Sequence, residues 1–310
     1  MSYGFFPAKQ QNSQSMFSTA PTPSYITLPN LAMPYPCLLD FLDQRFPFVG
    51  RDIWKHRLDH GKIHDETDRT VHADTPYRVN ARLRYYREVR NEHPIPFEEQ
   101  IVFHNENILV ADKPHFLPVT PSGSYVNECL LHRLRRKTGL NHLVPVHRLD
   151  RETAGLVLFT CKEHNRRQWF ELFRHRKINK CYEAVATLPA HSDQRYWLIE
   201  SRIERGEPRL RFRNTEGEIN ARSRIRLMET RGKLAKLELE PITGKTHQLR
   251  LHLGLIGSHI IGDRLYPEFN PPENPPRYDR PLQLLAKKLN FTDPNSGEFL
   301  SFESRYKLNW

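Results

Sequence analysis

No window of eighteen apolar residues occurs in this 310-residue chain, so no segment reads as a membrane-spanning helix. The four cysteines, Cys37, Cys129, Cys161 and Cys181, include no CxxC pair. That spacing indicates neither a zinc site nor a disulfide framework. The N-terminus lacks a basic-then-apolar signal pattern, because Phe5-Phe6 is cut off at once by Pro7. A cytoplasmic location is the resulting expectation. Residues 1–30 hold one charge, Lys9, and no apolar periodicity. Their Ser, Gln, Pro and Thr content predicts a flexible arm.

What is present is an ordinary soluble composition, 38% hydrophobic and 27% charged. The length suits about two domains and an ample core. The formal charge is +11 and the pI about 9.5. Such a balance favours a polyanionic partner, nucleic acid above all, although a merely basic soluble protein fits the charge equally.

Between residues 31 and 90 two short amphipathic helices are expected, Leu38 to Arg45 and Arg51 to His60, with Gly61 closing the second. Short alternating segments and a basic stretch, Arg78 to Arg90, follow. The Pro-containing link Asn91 to Glu99 marks a domain boundary. The larger domain, 91–310, opens with a buried strand over Ile108 to Ala111. Asn127 to Thr138 and His164 to Arg176 read as amphipathic helices, and Lys180 to Thr187 as a strand. Arg166, Arg167, Arg174, Arg176, Lys177 and Lys180 crowd around one acid, Glu171, which suggests a nucleic-acid face; a charge run is also how a solvated face looks. Between Leu198 and Leu227 many arginines alternate with apolar residues, as in antiparallel strands with one wet face.

The stretch that organises the chain is Val144 to Thr160, VPVHRLDRETAGLVLFT. An apolar approach leads into the polar turn His147 to Thr153, and then into the run Gly155 to Phe159, which reads as a buried strand. Asp150 therefore sits in a loop braced by a strand, with His147, Arg148 and Arg151 beside it in sequence. Opposite charge favours the ionised form of a carboxylate, which suits a nucleophile or base. A structural Asp that caps a turn fits the same residues. His56-Arg57-Leu58-Asp59 repeats the four letters, but inside a helical pattern and without the Thr-Ala-Gly-strand context.

HRLDRETAGLVLF resembles the catalytic motif of the RluA-type pseudouridine synthases, H-R-L-D-x-x-T-S-G, with Ala154 in place of Ser. Three further blocks resemble that family in order: ILVADKPHFLPVTPSG, with Asp112 where Asn is common; KCYEAVA; and TGKTHQLRLHLGLIGSHIIGDRLY. A closing block over Gln283 to Phe302 keeps Ala286 and has Leu285 in place of His. The Gly-Lys-Thr at 244–246 is not a phosphate loop, because Leu239 stands where that motif needs Gly.

The resemblance implies an α+β fold, a mixed and mostly antiparallel sheet flanked by helices with a cleft across it. It implies isomerisation of uridine to pseudouridine in structured RNA, ribosomal RNA ahead of transfer RNA, with no cofactor and no metal. In the family's roles Asp150 is the catalytic residue, Tyr182 lines the base pocket and Arg250 pairs with Asp150. Expected RNA contacts are His147, Arg148, Lys113, Arg166, Arg167, Arg174, Lys180, Lys245 and His247; a plain strand-end lysine fits Lys113 as well. The helix–helix–Gly–strand order of 31–90 resembles the small alpha-L type RNA-binding module found before many synthases, an α/β unit whose second helix would touch phosphate. A capping subdomain fits that segment too. The partner expected is RNA, with no membrane and a monomeric chain. The rival readings are an RNA-binding protein that keeps the fold without chemistry, and a carboxylate hydrolase lacking an assignable second carboxylate.

Overall fold

The structure, a computed structural model, describes residues 17–47, 49–191, 193–271, 273 and 276–310. The described chain divides into two compact units. The first runs to Glu92 and includes Ser122–Asn127; the second is His93–Pro121 with Glu128–Trp310.

The first unit contains β1 (Phe17–Thr19), β2 (Ser24–Thr27), α1 (Leu38–Arg45), α2 (Arg51–Asp59), β3 (Ile63–His64), β4 (Arg82–Tyr85) and β5 (Glu88–Arg90). β1 pairs with β5, and β2–β4–β3 form a second small sheet. Leu38, Leu39, Phe41 and Leu42 of α1 and Trp54 and Leu58 of α2 pack on Ile26, Ile63 and Leu83 of that sheet. Two expectations change here. The described part of the 1–30 arm is built into sheets, because Ile26 and Leu28 supply core surface; residues 1–16 lie outside the described residues. The basic side chains of α2 are already engaged. Arg51 pairs with Asp40 at 2.8 Å and Lys55 with Asp59 at 2.6 Å. Arg57 is buried beside Glu88, with its guanidinium over the Trp54 ring.

The second unit is one 11-stranded sheet with helices packed on it. In chain order its elements are β6 (Gln100–His104), β7 (Ile108–Lys113), α3 (Leu130–Thr138), β8 (Val144–Pro145), β9 (Ala154–Thr160), α4 (Arg166–Arg174), β10 (Ile178–Thr187), β11 (Tyr196–Arg205), β12 (Phe212–Thr215), β13 (Ala221–Arg231), β14 (Leu234–Pro241), α5 (Gln248–Leu255), β15 (Leu284–Thr292) and β16 (Phe299–Glu303). The main order is β12-β11-β13-β14-β10-β15-β9-β7-β6, with β16 on β15 and β8 on β9. Only β15–β9 is parallel among these described pairs. The sheet is therefore mixed and mostly antiparallel, and the fold is α+β.

Sequence pattern dictates which strands are central. Every residue of β7 and of β9 is buried, as continuous apolar runs require. β13 alternates instead: Ala221, Ser223, Ile225 and Leu227 point inward, while Arg222 and Arg226 pair with Glu200 and Glu238 across the wet face. On the covered face α4 contributes Trp169 and Leu172 to a cluster with Leu156, Leu158, Ile178 and Phe291. α5 contributes Leu249 and Leu253 to another, with Ala184, Ala186, Ile225 and Leu237. Ile178, Lys180, Tyr182 and Ala184 lie an even number of residues apart on β10, so they share that face. Lys180 and Tyr182 thus occupy the strip between the α4 and α5 clusters.

Candidate active site

Gly155 fixes where the polar loop 147–153 enters the sheet. Its φ is +113°, and a Cβ there would stand 2.3 Å from the Ala286 carbonyl oxygen. Only glycine lets β9 approach β15 so closely. Ala286 also pairs with Tyr182, after a β-bulge that places Lys287 as an extra residue in β15. Bulges re-aim side chains near functional sites. Gly155, Ala286 and Tyr182 therefore form one row across three strands, and the loop that carries Asp150 ends beside it. The phenol of Tyr182 has its pKa pushed up by burial and then by the Asp150 charge. Its hydroxyl stays protonated, within the field of the carboxylate.

The cations beside Asp150 in sequence are not its cations in space. Arg148 is exposed, and Arg151 pairs with Glu152. His147 accepts a hydrogen bond on Nε2 from Leu158 N–H at 3.1 Å and stacks on Phe173. Burial, helped by the Lys180 charge, pulls its pKa down to about 3. A neutral imidazole with that nitrogen occupied anchors the loop to β9.

The positive charge comes from α5, a hundred residues on. Arg250 Nη1 lies 3.6 Å and His247 Nε2 3.8 Å from Asp150 Oδ2. Arg250 is almost fully buried, and its Nε donates to Asp263 Oδ2 at 2.8 Å while Nη2 donates to Oδ1. Burial opposes the guanidinium charge, but the Asp263 hydrogen bonds, Asp263's charge and that of Asp150 outweigh it and move the pKa up. Asp263 Oδ1 also accepts the N–H groups of Leu265 and Tyr266. The tight turn before it needs Gly262, whose Cβ would meet the Pro281 carbonyl at 2.4 Å. His247, expected as an RNA contact, is thus drawn into the carboxylate cluster.

Lys113 is corrected as well. It is fully buried and donates to the carbonyls of Pro114, Leu117 and Arg151 at 3.0, 2.7 and 3.1 Å. A side chain without exposed surface and with three acceptors has no hydrogen for a phosphate; it ties β7 to the Asp150 loop. Burial pulls its pKa to about 7, against the favourable charges of Glu152 and Asp150. Arg166 is half-buried against Glu163 and the His142 carbonyl. Arg167, Arg174 and Lys245 are exposed, Arg174 within 3.2 Å of Glu171. Lys180 is half-buried between Ile178 and Tyr182, and burial lowers its pKa. Asp59 of the repeated HRLD lies on α2, paired with Lys55.

Asp263 and Tyr266 had no role from residue type alone. Their signal was the Gly262-Asp263-x-x-Tyr266 spacing, which says that they matter and not what they hold. Phe212, whose backbone binds Tyr266, gave no signal.

The family model for RNA pseudouridylate synthase matches residues 107–254. An uncharacterized RNA pseudouridine synthase from Synechocystis is 30% identical over 233 residues, 74% of this chain and 79% of that one. The dual-specificity RNA pseudouridine synthase RluA of Pasteurella multocida is 32% identical over 217 residues, 66% of this chain and 91% of the relative. The solved structure of human RNA Pseudouridylate Synthase Domain Containing 4 matches with a TM-score of 0.52 at 26% identity, over 67% of this chain and 88% of that one. The chain belongs to the RluA-type RNA pseudouridine synthases, isomerases that convert uridine to pseudouridine in RNA.

Proposed function

We propose that Asp150 is the group that attacks the nucleoside, within a structured ribosomal or transfer RNA. The observation that carries this is the convergence of Arg250 and His247 on one oxygen of one carboxylate. A carboxylate held through Oδ2 presents its other oxygen to a substrate. In the isomerisation the N1–C1′ bond breaks and a C5–C1′ bond forms; C5 gives up a proton and N1 gains one. Atoms balance without a donor or an oxidant.

The target base must leave its stack, at a cost of a few kcal/mol. Tyr182, on the strip between the two helix clusters, offers a ring on which the base stacks. Arg250 supplies a fixed positive charge that needs no reorganisation during reaction. Arg148, Arg167, Arg174 and Lys245 supply phosphate contacts from the surface, and Lys180 one at the edge of the cleft.

Ribosomal RNA is favoured, because a separate folded unit ahead of the synthase unit gives a second surface for a large folded substrate. A monomer suffices, since Asp150, Tyr182, His247, Arg250 and Asp263 all come from one chain. The four free cysteines suit a reducing compartment such as the cytoplasm. Among the described residues no helix is long and apolar enough to cross a membrane. Mapping pseudouridine in RNA from cells with and without the gene tests the target: loss of a ribosomal site supports the reading, and loss confined to transfer RNA overturns the preference.

A further inference from the structure

His247 is placed with more care than a packing residue needs. It sits at the N-cap of α5 with φ +57°, a left-handed conformation that a residue with a Cβ seldom adopts. Such backbones persist where the surroundings impose them, often at functional sites. The ring stands edge-on to Phe212 and Tyr266. Its Nδ1 is 2.9 Å from the Tyr266 hydroxyl, and its Nε2 faces Asp150.

The hydroxyl of Tyr266 has one hydrogen and three partners. It accepts the Phe212 N–H at 2.8 Å, so its hydrogen goes either to His247 Nδ1 or to the Phe212 carbonyl at 3.1 Å. Burial holds the His247 pKa below its ordinary value, Asp150 and Asp263 opposing and Arg250 reinforcing. The imidazole is therefore neutral at pH 7 and carries one hydrogen. On Nδ1, that hydrogen would leave the Nε2 lone pair facing a carboxylate, which is repulsive. On Nε2, it satisfies both bonds at Tyr266, Phe212 N–H to the Tyr266 oxygen and Tyr266 O–H to Nδ1, and turns Nε2–H towards Asp150 Oδ2 at 3.8 Å, a favourable electrostatic contact longer than a hydrogen bond. A ring tautomer is set by the bond that its other nitrogen makes.

We infer that His247 is a positioning residue for Asp150, held as the Nε2–H tautomer by the Tyr266 hydroxyl. With Arg250 it fixes Oδ2 from two directions and leaves Oδ1 for the nucleoside. The Phe212–Tyr266 bonds extend the restraint to the first residue of β12. This rests on Asp150 being the attacking carboxylate, as proposed above.

Long-range proton–nitrogen NMR on the full-length protein reads the tautomer without any turnover. The expected result is a neutral ring protonated at Nε2 in the wild type and a shift away from that tautomer in Tyr266→Phe. A ring protonated at Nδ1, or a tautomer unchanged in Tyr266→Phe, overturns the inference. Single-turnover rates give the second arm. Asn places its amide near Nδ1 and Gln near Nε2, so Gln alone restores a donor towards Asp150. His247→Asn should slow pseudouridine formation about two- to tenfold, the scale of a neutral polar contact rather than of a short bond to a charged group, with RNA affinity within about twofold; His247→Gln should recover most of that loss. Equal rates in both variants overturn the positioning role. If Asp150→Asn proved active while the tautomer result held, the attacking group would be wrong and the relay right.

Discussion

Arg250 stands 3.6 Å from Asp150 Oδ2, yet its hydrogen bonds go to Asp263. The pair with Asp263 is the buried one, each side chain 2% exposed. Breaking a buried ion pair from one side costs about 3–5 kcal/mol, because the remaining charge loses its partner. Asp263→Asn keeps the shape and removes the charge, so it should lower the unfolding free energy by about 3 kcal/mol and the Tm by roughly 6–12 °C. Pseudouridine formation should fall with it, as Arg250 loses its anchor. Thermal melts and single-turnover rates measure both; a variant as stable and as fast as the wild type would show that Arg250 does not depend on Asp263.

Gly155→Ala tests the sheet geometry behind the site. The added methyl meets the Ala286 backbone at 2.3–2.8 Å and must adopt a φ of +113°. Strain and overpacking of this kind cost about 2 kcal/mol or more. Chemical denaturation should show at least that loss. Equal stability would mean that β9 and β15 are further apart than described.

Acid should unfold the protein through two imidazoles that are neutral in the fold. Burial pushes His147 down to about 3 and His252 to about 4, whereas an unfolded histidine titrates near 6.5. Between those values the unfolded chain binds more protons, so stability is complete above pH 6.5 and declines as pH falls through the window. Each proton contributes at most about 1.4 kcal/mol per pH unit. His147→Phe keeps the stack on Phe173 and removes one titration, so the slope of stability between pH 4 and 6.5 should drop by about one proton. An unchanged slope would mean that His147 protonates equally in both states.

RNA binding should weaken steeply with salt, since each neutralised phosphate releases counterions. The charge is unevenly distributed: residues 17–92 carry 11 Lys and Arg against 10 Asp and Glu, and residues 93–310 carry 35 against 26. Deleting residues 1–92 should therefore leave most of the slope of log affinity against log salt in place. Loss of most of the slope would place the phosphate-binding surface in the first unit.

Much of the second unit was legible because its strands announce themselves. Gly155 to Phe159 is a run too apolar and too short for anything but a buried strand, and β13 alternates cleanly. The placement of the charges was not legible. Sequence set Arg148 and Arg151 beside Asp150, but a turn sends one to solvent and the other to Glu152, while the operative cation arrives from α5. Without the family resemblance Arg250 reads as one more helix arginine. Lys113 illustrates the same limit: a lysine at a strand end looks like a surface contact until the fold closes three carbonyls around it. The described part of the arm looked unstructured because β1 and β2 are only three and four residues long, too short for periodicity to register.

The most direct measurement compares the two HRLD aspartates. Asp150→Asn keeps the volume and removes the charge and nucleophilicity at the site where Arg250 and His247 converge. Asp59→Asn makes the same change on the exposed side of α2, where the solvent-screened ion pair with Lys55 contributes little. Product formation is followed with excess enzyme over a long incubation, with RNA affinity measured alongside. Asp150→Asn should form no pseudouridine while binding RNA nearly as the wild type does, and Asp59→Asn should be fully active. Full activity in Asp150→Asn, or complete loss in Asp59→Asn with binding intact, would contradict the assignment of Asp150.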